Sequence, residues 1–470
     1  MKTDIAAPPR ESQTCCAMRI SEGMVMVDEG LMASAVCPIR RASPFMADQL
    51  GRHGARFLLA MIDGGGTVPP AIGLATELVR RGHAVHLLAD PTIEASARSA
   101  GCGFSPWRDA PHFDSRAEQT AMIAAMEGRN PLRAFRAVKD FAGKEMTRRY
   151  AEDVVATVRE FPVDAVLADG LPGILIGAQS TGLPTAALLA QTYLRPTPGL
   201  PLMGTGWSPG PGVLRRARDS VAPKTASWLL DLTLPRLNVV VAGYGQPPLR
   251  DVFELFDRCM KVLVMTSPSF DFVAPRLPAN VRYVGPQLDD PGWAAVEWHS
   301  RGPDPLVLVA TSSIFQHQVD LLQRIARAVG QLPVRGLITT GTAVNPDEIA
   351  APPNVEVVQA APHSRILPEA SAVITHAGHG TLIKALAAGV PLVCIPMGRD
   401  QKDNTVRALR HGAGVRLSAK STPDKIAAAV ADILDNPHYT AAARRFAHIL
   451  AQEAATTPSA ADEAEAMLRS

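Results

Sequence analysis

The sequence offers almost no net charge to a polyanion. Its 47 Lys and Arg stand against 45 Asp and Glu, a formal +2 over 470 residues. Basic residues come no denser than pairs such as Arg40-Arg41, Arg80-Arg81 and Arg444-Arg445. Nucleic-acid binding by counterion release calls for a basic stripe, so that role is disfavoured. Cysteine is scarce as well: there are six, half of them within the first 37 residues, and no CxxC pair. That excludes a disulfide framework and points to a reducing cytoplasm. No run approaches the roughly 20 apolar residues of a spanning helix, and no basic start leads into the apolar core of an export signal. Residues 1–52 mix Met, Pro, Arg and acids with neither strand nor helix period, and are expected to be a disordered tail or an overextended start.

What is present is a globular composition, 47% hydrophobic and 20% charged, enough apolar material to offset the entropy of ordering. Arg56 to Ile62 is a short continuous apolar run of the kind a parallel strand buried on both faces requires. It leads into Asp63-Gly64-Gly65-Gly66-Thr67, a helical pattern ending at Gly82, and a second apolar run from Ala84 to Ala89, which together read as a βαβ unit. Further runs at 165–168, 185–189 and 261–265 continue the alternation of strand and helix, as an open parallel sheet demands. After a Pro, Gly and Trp-rich connector the pattern restarts at Leu306, with strands expected at 336–339, 355–358, 372–375 and 391–395. The fold class is therefore α/β, with two Rossmann-like domains at 53–290 and 303–435 and helices over 436–470.

One segment carries the strongest chemical signal. Thr375-His376-Ala377-Gly378-His379-Gly380-Thr381 lies where a buried strand turns sharply into a helix. Helical N–H groups without internal partners and the positive end of the macrodipole favour an anion there, the glycines allow close approach, and His376 adds a donor. His363, His376 and His379 lack the His-Glu-x-x-His spacing and a completing Cys pair, so no metal site is expected.

Read together with Pro362-His363 and the run Gly389 to Gln401, the segment from Ala360 to Leu417 resembles the donor-binding signature of the inverting glycosyltransferases of the UDP-glycosyltransferase type, in their bacterial natural-product branch. The resemblance extends over nearly the whole chain from about residue 55. It implies a GT-B fold: two facing Rossmann-like domains, the first holding the acceptor and the second the nucleotide sugar, with C-terminal helices crossing back to the first. It implies that His376, Gly378, Gly380 and Thr381, with Ser312 and Ser313, hold the donor diphosphate. Asp400 and Gln401 would bind hydroxyls of the transferred sugar, and the stretch Ala360 to His363 would hold the base. No cofactor is implied beyond the nucleotide sugar as co-substrate.

Two departures from that pattern matter. Where relatives carry an acidic residue for the ribose diol, this chain has Lys384, which cannot accept a hydrogen bond and leaves room for a dTDP-sugar beside a UDP-sugar. Where relatives carry a basic His after the first glycine turn, this chain has Thr67, whose hydroxyl is no more acidic than a substrate's. Asp169, at the end of the strand 165–168, and Asp63, beside the glycine turn, are then the candidate bases. The expected partners are small molecules, a nucleotide sugar and a lipophilic acceptor walled by Tyr193 to Trp207. Two rivals stand beside this reading. One is a lipid glycosyltransferase at a membrane surface, prompted by the basic stretch Arg129 to Arg149. The other is a catalytically silent nucleotide-sugar-binding partner of another transferase.

Overall fold

Each continuous apolar run becomes a strand buried on both faces, and the strands assemble into two parallel sheets. The computed structural model describes residues 54–115, 118–119, 143–290, 294, 298, 302–312 and 316–469. The N-terminal segment 1–52, most of the basic stretch 129–149, and Ser313 lie outside the described residues.

The first sheet comprises β1 (Arg56–Ala60), β2 (Ala84–Ala89), β3 (Gly103–Pro106), β4 (Ala165–Asp169), β5 (Thr185–Leu189), β6 (Lys261–Val264) and β7 (Val281–Tyr283). Its spatial order is β3-β2-β1-β4-β5-β6-β7, and every neighbouring pair is parallel. The second comprises β8 (Leu306–Ala310), β9 (Arg335–Thr339), β10 (Val355–Val358), β11 (Ala370–Thr375), β12 (Leu392–Cys394) and β13 (Gly414–Arg416), ordered β10-β9-β8-β11-β12-β13 and again parallel throughout. The helices used below are α1 (Val68–Arg80), α2 (Val213–Asp231), α3 (His379–Ala387), α4 (Gln401–Leu409), α5 (Pro437–Thr456) and α6 (Ala460–Ala466).

Strands β3, β7 and β13 were not expected from the sequence. They are short strands at sheet margins, three or four residues long and only partly buried, so they need no continuous apolar run to form. Helix α1 tolerates Pro69 and Pro70 because a first helical turn has no use for their missing N–H groups.

The order of each sheet reverses direction once, between β1 and β4 in the first and between β8 and β11 in the second. At such a switch point the flanking connections leave on opposite faces and open a crevice beyond the carboxyl ends of the strands. The fold thus offers two crevices, and the polar contacts between the domains turn them toward each other. His379, the first residue of α3, meets Thr266 beyond β6 with its Nε2 2.9 Å from the hydroxyl. Arg407 on α4 donates to Asp271 Oδ1 at 3.0 and 2.9 Å, while the Tyr193 N–H and the Tyr283 hydroxyl donate to Asp271 Oδ2 at 2.9 Å each. Both members of this pair are buried, so removing either leaves an uncompensated charge. Helices α5 and α6 return to the first domain, as the resemblance implies. Glu453 accepts from the Ser267 and Ser269 hydroxyls, and the α6 acids Asp462, Glu463 and Glu465 pair with Arg81, Lys261 and His83.

Candidate donor and acceptor crevices

The register that sets Ala310 of β8 beside Thr375 of β11 makes Thr311 and His376 neighbours at the second switch point. Both present a buried polar atom without a hydrogen-bond partner, Thr311 Oγ1 and His376 Nδ1. Buried polar atoms are almost always satisfied, and here two stand side by side with no partner from the chain. The His376 ring is pushed down to about 4 by burial, against the pull of Asp400 and the Ala310 carbonyl, so it is neutral at pH 7 and carries a single N–H.

Immediately beyond, the chain takes a conformation that a β-carbon would spoil. A side chain at Gly378 would bring its Cβ to 2.4 Å from His376 Nε2, so this glycine exists to let the imidazole lie against the backbone. The sequence leads one to expect Gly378 to let an anion approach; its closest side-chain neighbour in the fold is the histidine ring. Ala377 sits at φ 67°, in the left-handed region, held there by its N–H to Thr375 Oγ1 at 3.2 Å and by Asn404 donating to its carbonyl at 3.1 Å. Strain of this kind persists where the surroundings over-determine it, commonly at functional sites. At Gly380 a Cβ would meet nothing within 4 Å, so open space lies over the start of α3. The first helical hydrogen bond here runs from Leu382 to the Gly378 carbonyl, which places the N–H groups of His379, Gly380 and Thr381 ahead of the ladder. Gly378→Ala should displace the imidazole and weaken nucleoside diphosphate binding by about 1 kcal/mol, roughly fivefold in Kd. Calorimetry checks it, and unchanged affinity in a folded variant would show that the ring's position does not matter.

The remaining expected donor residues divide. Asp400 is the N-cap residue of α4, accepts from Asn404 Nδ2 at 2.7 Å through one oxygen, and exerts its charge on both His376 and His379. Gln401 is the first residue of α4. It is buried, its Oε1 accepts from the Met397 and Gly398 N–H groups at 2.7 and 2.9 Å, and its Nε2 donates to Gln316 at 2.9 Å. Both acceptor sites of the amide are committed to the loop, which makes Gln401 a strut that shapes the crevice and leaves at most one N–H for a sugar. Ser312 is buried, and its carbonyl accepts from Gln318 at 3.2 Å. His363 lies 3.1 Å from the Thr339 hydroxyl at the end of β9, and burial pushes its ring down to about 4, with Lys384 acting in the same direction. Lys384 is not a free surface residue: it donates to the Asp289 carbonyl at 2.5 Å and to Asp290 Oδ1 at 3.0 Å. Although burial pushes the Asp290 carboxyl up, Lys384 and Ser364 hold it below the ordinary range.

At the first switch point stand three carboxylates, Asp63 after β1, Asp90 after β2 and Asp169 at the end of β4. Burial pushes Asp169 up to about 6, against hydrogen bonds from the Gly170 and Ile62 backbone and with Asp90 nearby adding to the rise. Asp63 is tied into the turn instead. One oxygen accepts from the Gly65 N–H at 3.0 Å and the other from the Thr92 hydroxyl at 2.5 Å. That disposition suits a clamp on the glycine turn rather than a proton acceptor for a substrate. Thr67 occupies the N-cap position of α1 without making the cap bond, and its buried Oγ1 has no partner.

Sequence reasoning missed the contact that joins the two crevices. Asp403, one turn into α4, accepts from the Gly204 N–H and from the Gly206 N–H at 2.7 Å, which pins the loop after β5 to the donor domain. Gly206 is at φ 65°, and a Cβ there would stand 2.6 Å from Lys402 Cβ. The signal was available only as a short Asp400-x-x-Asp403 spacing, which by itself is an ordinary helical surface.

Comparison with known proteins adds the following. Residues 323–468 match the family described as "Erythromycin biosynthesis protein CIII-like, C-terminal domain". A 4'-demethylrebeccamycin synthase from Lentzea aerocolonigenes is 29% identical over 406 residues, covering 84% of this chain and 95% of that protein. A zeaxanthin glucosyltransferase from Pantoea ananas is 25% identical, covering 77% of this chain and 84% of its own length. Among solved structures, the calicheamicin glycosyltransferase CalG4 superposes with a TM-score of 0.69 at 23% identity, over 89% of this chain and 99% of that one. The glycosyltransferase VinC in complex with dTDP superposes with a TM-score of 0.61 at 19% identity, over 88% and 98%.

Proposed function

Taking the chain as a glycosyltransferase of GT-B fold, akin to those of natural-product biosynthesis, we propose that it moves a sugar from a nucleoside diphosphate to a hydroxyl of a small lipophilic acceptor, inverting the anomeric carbon. The observation that carries this reading is the pair of orphaned buried atoms, Thr311 Oγ1 and His376 Nδ1, at the second switch point beside the start of α3. In this reading the diphosphate lies on the free N–H groups of His379, Gly380 and Thr381 and takes donors from His376, Thr311, Ser312 and Ser313. Asp400 accepts from the sugar, and His363 with Ala360 to Pro362 borders the base.

The acceptor hydroxyl faces Asp169. A carboxylate raised to about 6 is still ionised at neutral pH yet is a stronger base than an ordinary one, the balance that general-base catalysis requires. The acceptor oxygen loses its proton to Asp169 and attacks the anomeric carbon. The bond from that carbon to the diphosphate oxygen breaks with its electron pair, and the departing charge grows where α3 and His376 are already oriented to receive it. The reading requires no metal, since the helix terminus does the electrostatic work.

The choice of nucleotide follows from Lys384. Committed to Asp289 and Asp290, it gives a ribose diol no acceptor, so dTDP should bind at least as well as UDP. Calorimetry with both nucleotides decides it: UDP binding more than about tenfold tighter, 1.4 kcal/mol, contradicts the inference.

Transfer itself is tested by incubating the isolated chain with dTDP- and UDP-glucose and a panel of polycyclic and polyene alcohols. A hexosylated product of β configuration from the α-linked donor supports the reading. Donor binding with neither transfer nor donor hydrolysis across the panel would instead identify the silent partner of another transferase.

A further inference from the structure

Seven of the eleven large hydrophobic side chains that stand exposed among the described residues fall between 213 and 239. Helix α2 concentrates them. Val213 is 82% exposed, Leu214 87% and Trp228 61%, and only Asp219 and Pro223 of its 19 residues are buried. The apolar positions 213, 217, 221, 228 and 232 are separated by four, four, seven and four residues, so they form one stripe along the helix. Leu214 lies seven residues before Val221 and widens it. An amphipathic helix of a water-soluble domain ordinarily turns such a stripe inward; α2 turns it outward.

The charges around the stripe have one sign. Arg216, three residues from Val213, borders the apolar line and Lys224 lies within it between Val221 and Trp228; both are exposed, with Arg215 and, just past the helix, Arg236 exposed as well. The only acids between 213 and 243, both among the described residues, have partners in the protein. Asp219 is buried and paired with Arg218 at 2.7 Å, and Asp231 accepts the Val252 N–H at 3.1 Å. A homodimer through a two-fold axis would set this patch on itself and bring like charges together. An apolar strip carrying a Trp and rimmed by cations complements a negatively charged lipid surface, where the stripe enters the acyl boundary and the Arg and Lys stems reach the headgroups.

We propose that α2 is a membrane-docking helix that seats the protein on anionic lipid. Its attachment is firm. The Gly199 N–H donates to the Asp219 carbonyl at 2.8 Å, Arg218 donates to the Ser208 carbonyl at 3.0 Å, and its guanidinium lies over the Trp207 ring at 4.5 Å. These contacts join α2 to the loop that Asp403 pins across the domain boundary, so docking would bring the acceptor side of the cleft to the bilayer. That last step rests on the proposed lipophilic acceptor; the docking itself does not.

The test is co-sedimentation of the full chain with vesicles of equal parts phosphatidylglycerol and phosphatidylcholine, and with phosphatidylcholine alone. The protein is expected to partition onto the anionic vesicles. Leu214→Ser combined with Trp228→Ser should lower that partition at least about tenfold, and Arg216→Gln with Lys224→Gln should remove the preference for anionic lipid. Both variants should keep the wild-type melting temperature and nucleotide affinity, which separates failure of docking from failure of the transferase reading. Should a variant misfold, amide exchange on the wild type decides, with vesicle-induced protection expected over residues 213–239. No partition onto anionic vesicles overturns the proposal. So does a dimer in solution that the serine variant dissociates, which would make the face a contact between copies.

Discussion

Asp169→Asn is expected to lower kcat by about 10²- to 10⁴-fold, some 2.7 to 5.5 kcal/mol in the transition state, with nucleotide affinity nearly unchanged. The amide keeps the shape of the carboxylate but takes no proton, and the residue belongs to the first sheet whereas the nucleotide is proposed to lie on the second. The size of the effect separates the two carboxylates named as candidates. Asp63 already accepts from Gly65 and Thr92 through both oxygens, so its replacement should register chiefly as lost stability of the glycine turn. Thr67→His would place an imidazole at the start of α1, and with Asp169 intact should raise turnover on weakly acidic alcohols. Full turnover of Asp169→Asn would make the residue a structural cap and leave the acceptor's own acidity to supply the nucleophile.

His376→Ala should weaken transition-state binding by about 2 to 4 kcal/mol, a loss of roughly 30- to 1,000-fold in kcat/KM, because the donor it removes faces a charge that grows as the glycosidic bond breaks. Nucleotide affinity should fall as well, by less, since the ground-state diphosphate already carries part of that charge. Steady-state kinetics with a saturating acceptor and calorimetry with the free nucleotide measure the two effects separately. A folded His376→Ala protein with wild-type values for both would remove the diphosphate from the α3 terminus.

The strands that built the two crevices were legible because strands buried on both faces must be continuously apolar, and Arg56 to Ile62 or Leu306 to Ala310 have no other easy reading. The marginal strands β3, β7 and β13 were not, because a short, partly exposed strand carries no such pattern. At the site, His376 and Gly378 were visible as a strand-to-helix turn. The physical role of Gly378, making room for the imidazole two residues before it, needed the backbone path of Ala377. The loop bonds of Gln401 were hidden for a related reason: nothing in the sequence shows that the fold places the Met397 and Gly398 N–H groups on its oxygen. Lys384 with Asp290, Arg407 with Asp271 and Asp403 with Gly206 pair residues 94 or more apart in sequence, and no local period announces them. They are the contacts that fix one crevice against the other.

The central claim is that a half-buried carboxylate at the first switch point takes the acceptor's proton, and the pH dependence of kcat/KM tests it most directly. His363 and His376, pushed down to about 4 by burial, titrate too low to shape the profile near neutrality. Asp169, raised to about 6, must lose its proton to act. The account predicts that log kcat/KM rises with unit slope below about pH 6 and is level above it, and that Asp169→Asn abolishes this limb. A profile already flat from about pH 5 to 8 in the wild type, or the same rising limb in Asp169→Asn, would contradict it.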